Sequence, residues 1–171
     1  MENEYIQFFT ATILEWKPLL RQDKYKQIII DSLKFLVAEK RIDLYGFVIM
    51  PNHIHLIWHI GELFDRADVQ RDFLKYTAQK IKLDLKINHP NVLKQFKVNV
   101  KDRMYQIWER NPLSINIYSR AVLLQKLNYI HNNPVQEKWS LTDVPEGYYY
   151  SSARFYELNI DDWGFITHYN G

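Results

Sequence analysis

In Leu44-Tyr45-Gly46-Phe47-Val48-Ile49-Met50-Pro51-Asn52-His53-Ile54-His55-Leu56-Ile57-Trp58-His59, two apolar runs flank a Pro-Asn turn. The pattern predicts a hairpin of two buried strands, the second carrying His53 and His55. Successive side chains of a strand alternate faces, so these two imidazoles project the same way, two residues apart. A pair of imidazoles so placed can hold one divalent metal ion. His59 shares that face at the far end of the strand and reads as a structural or rim residue.

Far down the chain lies Gln125-Lys126-Leu127-Asn128-Tyr129-Ile130-His131-Asn132-Asn133-Pro134-Val135. Leu123, Leu127 and Ile130 follow the i, i+4, i+7 spacing of an amphipathic helix. At about 100° per residue, Tyr129 lies off that stripe and Asn133 falls one turn beyond it on the same face. Pro134 disfavours the α conformation at Asn133, which predicts a helix end there. A phenol and an amide oxygen therefore face one direction at a helix terminus. His131 points away from Tyr129, where it can hydrogen-bond the fold.

The strings Met50-Pro51-Asn52-His53-Ile54-His55 and Tyr129-Ile130-His131-Asn132-Asn133-Pro134-Val135, in that order, resemble the single-tyrosine HUH (His-hydrophobic-His) transposases, and most closely the REP-associated tyrosine transposases. The resemblance runs from about Phe8 to Tyr156. It implies a metal-dependent single-stranded DNA endonuclease and strand transferase acting on hairpin-flanked DNA through a 5′-phosphotyrosine. Tyr129 is then the catalytic nucleophile, and His53, His55 and Asn133 are the ligands of Mg²⁺ or Mn²⁺. Imidazoles favour the softer of the two ions, but the sequence does not choose between them. Lys126, one turn before Tyr129, is a candidate to ease loss of the phenolic proton, whose ordinary pKa is about 10. The resemblance leaves both a monomer and a homodimer open.

The bulk properties fit this reading. Within 171 residues, 47% hydrophobic content with 15% aromatics argues for a folded domain with a core. We read one domain over residues 1–171, with a core of about 8–135 and an extension of about 136–171. No apolar run approaches the ~18 residues that span a bilayer, and the polar Met1-to-Gln7 stretch is unlike a signal peptide. Absence of Cys removes disulfides and thiolate chemistry. The expectation is a cytoplasmic protein with no membrane partner.

The net charge of +2 says little, but its placement says more. Between Lys75 and Arg103 eight basic residues (Lys75, Lys80, Lys82, Lys86, Lys94, Lys97, Lys101 and Arg103) face two acidic ones, Asp84 and Asp102. That segment carries +6 and leaves −4 for the remainder. With Tyr76 and Phe96 interspersed, and Arg110 following, it is the candidate surface for single-stranded DNA.

In chain order, Phe8 to Trp16 reads as a strand. A helix follows, capped by Asp23 and running to about Lys40. After the hairpin comes a second helix, from Asp65 or Asp68 to Lys86, burying Val69, Phe73, Tyr76 and Ile81. Residues 87–100 read as a loop, and Tyr105-Gln106-Ile107-Trp108 as the last strand. This order predicts an α+β, ferredoxin-like or RNA-recognition-like sandwich with helices on one face of an antiparallel sheet, followed by the Tyr129 helix and an aromatic extension.

Competing readings are weaker. A histidine-triad hydrolase wants a third alternate histidine, where Ile57 stands. Rolling-circle initiators share the chemistry but usually come as larger chains. A domesticated, non-catalytic single-stranded nucleic-acid-binding protein of the same fold is the main alternative.

Overall fold

The computed structural model describes residues 3–171; the polar reading of Met1 and Glu2 lies outside the described residues. Six strands and five α-helices follow in chain order. They are β1 (Ile6–Thr12), α1 (Asp23–Ala38), β2 (Ile42–Ile49), β3 (His53–Ile60), α2 (Arg66–Asn88), α3 (Pro90–Lys94), β4 (Lys97–Val100), β5 (Arg103–Tyr105), β6 (Leu113–Ile117), α4 (Arg120–Asn132) and α5 (Ala153–Leu158).

The main sheet is antiparallel with order β2-β3-β1-β6, the ferredoxin-like arrangement. β3 is central and buried along nearly its whole length, as a strand sandwiched between two layers must be. Ile54, Leu56, Trp58 and Ile60 join Phe9, Phe47, Ile29, Leu33, Phe73 and Ile81 in a core under α1 and α2. On the opposite face Ile57 joins Phe8, Val48, Met50, Leu123, Leu127 and Ile130, so α4 covers the side that α1 and α2 leave open. The histidines of β3 belong to this second side.

Several local expectations are corrected. The fourth strand of the sheet is Leu113–Ile117; Arg103–Tyr105 pairs only with Lys97–Val100, in a separate hairpin. Tyr105 to Trp108 has the stronger β composition, but Asn111, with φ of 58°, and Pro112 re-aim the chain before it reaches the β1 edge. Residues 87–100 are no loop: α2 runs on to Asn88, and α3 and β4 follow. Gln22, not Asp23, is the cap of α1, and the Asp23 carboxylate instead accepts from Lys26 Nζ at 3.0 Å. Asp65 does cap α2, accepting from the Asp68 N–H at 2.9 Å. Tyr76 is exposed and Thr77 takes the buried position, its hydroxyl satisfied by the Phe73 carbonyl. β1 stops at Thr12, and a tight turn over Leu14–Trp16 follows.

The extension returns along β2. Ser151 bridges to Val48 and Ile166 to Leu44, covering one sheet edge. Ser152 Oγ accepts the Phe47 N–H at 2.9 Å and lies 2.8 Å from His131 Nε2, tying β2, the extension and α4 together. Among the described residues no helix is long and apolar enough to cross a membrane.

Candidate metal and tyrosine site

The pairing register places the site. β1 lies against β3 with Thr10 opposite His55 and Thr12 opposite His53. Both imidazoles are buried and their ring centroids lie 4.7 Å apart. Each Nδ1 is engaged by a neighbour: His53 Nδ1 donates to Asn52 Oδ1 at 2.7 Å, and His55 Nδ1 lies 2.7 Å from Thr10 Oγ1. Such contacts set ring orientation and tautomer and leave Nε2 free to act as a ligand. Phe8 stacks on His55 at 5.1 Å and 21°.

From the other side α4 brings in two groups. Asn133 Oδ1 sits 3.0 Å from His53 Nε2. The Tyr129 ring stands edge-on to His55 at 5.6 Å and to Phe8 at 6.3 Å, and it is 46% exposed, so the phenol is open to solvent beside two buried imidazoles. Asn133 is αR despite the following Pro134, because the chain passes from α4 into a 3-10 turn over Asn133–Val135. Proline is tolerated in the first turn of a helix, where its missing N–H has no intrahelical partner. His131 is buried on the far side of α4 against Ser152, and His59 is held by the Asn3 carbonyl at 2.7 Å.

The donor set fits a divalent cation. A neutral imidazole has one N–H, and His53 gives it to Asn52, so Nε2 meets Asn133 Oδ1 lone pair to lone pair. Turning the amide, so that its NH₂ donates, would resolve the conflict; so would a cation shared by both atoms. Among the described residues no cluster of three His, Cys, Asp or Glu offers a rival site.

Burial keeps these histidines neutral. It pushes His53 down to about 4, against the opposing effect of its Asn133 contact and with help from Lys138. It pushes His55 to about 3, with His53 and Lys126 adding to the effect. His131 is driven to about 4 by burial alone. An unfolded histidine titrates near 6.5. The stability these groups contribute is therefore fully present above that pH and is lost as the pH falls toward 4. Near pH 5 each histidine is expected to cost about 2 kcal/mol. Urea midpoints of metal-free protein should fall steeply between about pH 7 and pH 5, and His131→Asn should flatten that slope. A flat parent profile would show that the imidazoles are not desolvated.

The predicted DNA surface divides. Lys75, Lys82, Arg103 and Arg110 line one groove of about 820 Å³ between α2 and residues 102–112. Lys80 lies elsewhere, its Nζ over the Tyr76 ring, and Tyr76 lines the cleft between α1 and α2. Lys94 ends α3, and Lys97 and Lys101 sit on or beside the β4–β5 hairpin, outside the groove lining. Phe96 is buried and offers no face to a base.

Sequence reasoning missed Thr10, Asn52, Phe8 and Trp16 as neighbours of the histidines. Asn52 was legible beside His53 in the Met-Pro-Asn-His string. Thr10 and Phe8 required the β1–β3 register. Trp16 lies in a turn where Glu15 and Trp16 both take left-handed φ, 54° and 59°, each costing about 1 kcal/mol for a residue with a Cβ.

An antiparallel ferredoxin-like sheet here carries a His-x-His pair beneath a helix that bears a tyrosine. The chain is similar in sequence to one protein named as a REP-associated tyrosine transposase and in fold to a solved one. A Haemophilus influenzae protein provisionally named as one is 28% identical over 175 residues, spanning 95% of this chain and 93% of its own. The solved structure of a REP-associated tyrosine transposase bound to a REP hairpin superposes with a TM-score of 0.68 at 17% identity, covering 96% of this chain and 87% of that one. A provisionally assigned transposase of Deinococcus radiodurans matches at a TM-score of 0.49 and 13% identity, over 75% of this chain and 90% of its own. No protein-family model matches the chain.

Proposed function

We propose that this protein is a metal-dependent single-stranded DNA endonuclease and strand transferase that acts on hairpin-flanked DNA through Tyr129. The observation that carries the reading is the convergence of an exposed phenol on two buried, neutral imidazoles and a buried amide oxygen, drawn from β3 and α4. The similarity to REP-associated tyrosine transposases, one of them solved with a REP hairpin, supports the class of substrate.

His53, His55 and Asn133 would hold Mg²⁺ or Mn²⁺, which when bound supplies Lewis-acid polarisation of the scissile phosphate. Tyr129 Oη attacks phosphorus and gives up its proton. The bond from phosphorus to the 3′-oxygen breaks, and that oxygen takes a proton to become a 3′-hydroxyl. The 5′-phosphate stays on Tyr129. The ester keeps the phosphodiester bond energy, so a second 3′-hydroxyl can displace the tyrosine without a nucleotide cofactor. Thr10 and Asn52 hold the imidazoles in register, and Phe8 closes the site beneath them.

The test is incubation of a labelled single-stranded hairpin from the flanks of the gene with protein and Mn²⁺ or Mg²⁺, followed by a denaturing protein gel. A metal-dependent covalent adduct is expected. Hairpin binding without an adduct would favour the domesticated binder.

Lys126 Nζ lies 4.8 Å over the Phe8 ring, and its charge is felt at His55. That places it beside the same ring that Tyr129 meets edge-on. Lys126→Met is expected to slow adduct formation and move its pH profile upward, because a phenolate is less stabilised without a nearby cation. An unchanged rate and profile would remove the role.

Lys75 and Lys82 face the same groove as Arg110. Double reversal to Glu is expected to weaken binding of single-stranded DNA more than tenfold near physiological salt and to flatten its salt dependence. Reversal of Lys94, Lys97 and Lys101 should do less. Equal effects would move the DNA path onto the β4–β5 hairpin.

A further inference from the structure

Beside the larger groove lies a smaller cleft of about 230 Å³, lined by Thr10, Thr12, Trp16, Glu109, Arg110 and Leu113, with the Glu109 carboxylate tied to the Glu15 N–H. Thr10 bonds His55 and Thr12 stands opposite His53 in the register. Arg110 lines the cleft and the groove alike. The cleft thus adjoins the groove at one end and the histidines at the other.

Trp16 dominates its wall. The side chain is 63% exposed, unusual for the largest apolar side chain. Its ring stands 6.4 Å from His53 at 63°. The turn that presents it is strained and heavily tied down. The Ile13 N–H donates to the Asn52 carbonyl at 2.9 Å and the Leu14 N–H to the Ile107 carbonyl at 2.8 Å. The Glu15 N–H donates to Glu109 Oε1 at 2.6 Å. Two consecutive left-handed residues held by neighbours on two other segments are a costly way to place an indole in water. A flat ring held rigidly beside an open cleft suits a nucleobase.

We infer that Trp16 and Arg110 form a subsite for one unpaired nucleotide next to the scissile phosphate, the indole stacking its base and the guanidinium meeting a backbone phosphate. The subsite rests on the proposed single-stranded DNA activity. It adds to it a place where one base beside the cleavage point is held, and hence a means of positioning that phosphate over Tyr129. Stacking accepts every base, so Trp16 sets position and affinity and leaves sequence choice to other contacts.

The probe is fluorescein-labelled oligothymidylate, titrated by anisotropy at several salt concentrations in a Tyr129→Phe background, so that binding is read without chemistry. Trp16→Ala is expected to weaken binding about 5- to 100-fold, the range of one base–aromatic stack, with an unchanged salt slope. Trp16→Phe should recover most of the loss. Arg110→Gln should lower the salt slope by about 0.7, the value of one phosphate contact on a single strand. Binding of Trp16→Ala within twofold of the parent, or a Trp16→Phe variant as weak as Trp16→Ala, would overturn the subsite alone. A parent that binds no single-stranded DNA would overturn the proposed function and the subsite with it.

Discussion

Tyr129→Phe is expected to abolish the covalent DNA adduct while leaving hairpin binding within about twofold. The change removes one oxygen atom. The ring that meets His55 and Phe8 edge-on is retained, and a half-exposed aromatic at the margin of the core loses little packing with its oxygen. In the proposed reaction the phenolic oxygen is the atom that forms the ester, so its loss would remove the reaction and not merely slow it. His53→Ala should also lose the adduct for a different reason, because it removes both a candidate ligand and the partner of Asn133. The two variants separate on metal: Tyr129→Phe should still bind Mn²⁺ in the presence of DNA, whereas His53→Ala should not. An adduct that survives in Tyr129→Phe would assign the nucleophile elsewhere.

Gly46→Val is expected to cut the single-turnover adduct rate by about 100-fold and to destabilise the fold by about 1–3 kcal/mol. Gly46 stands in β2 at a register shift, where α4 crosses closest. A Cβ there would lie 2.6 Å from Leu127 Cδ2, 3.3 Å from Ser152 Oγ and 3.4 Å from Ile130 Cδ1. Leu127 and Ile130 are buried, which leaves their side chains little room to turn aside from the added methyls. The expected relief is a small shift of the helix off the sheet, which carries Tyr129 and Asn133 away from the histidines of β3. Displacement of about 1 Å is enough for a loss of that size when a nucleophile must stand in line with its target. Denaturant midpoints and adduct rates measured on the same preparations check both parts. A destabilised variant with an unaltered rate would show that α4 need not be held so closely.

Ser152 is the complementary restraint. Its hydroxyl meets both Phe47 N–H and His131 Nε2, so the extension fastens the far side of α4 while Gly46 lets the near side approach. The aromatic residues of the extension serve the same end. The hydroxyl of Tyr148 donates to the Ile49 carbonyl at 2.6 Å and that of Tyr156 to the Tyr45 carbonyl at 2.7 Å, both on β2. Burial raises the pKa of each phenol, which keeps them as donors at any pH where the fold survives.

The chain by itself determined the parts whose signals are local. Strand alternation put His53 and His55 on one face, and helical spacing put Tyr129 and Asn133 on another. The order of elements carried the ferredoxin-like sheet, because hairpin and helix periodicities depend only on near neighbours. What the sequence could not decide depends on contacts between distant segments. Leu113–Ile117 is a half-exposed edge strand whose composition is weak, and only its register against β1 makes it the fourth strand. Thr10 and Trp16 reach the histidines through the β1–β3 pairing and a strained turn, neither of which leaves a periodic trace. The basic run from Lys75 to Arg103 looked uniform as a string. Folding divided it: of the run only Lys75, Lys82 and Arg103 came to line one groove, joined there by Arg71 and Arg110 from outside it.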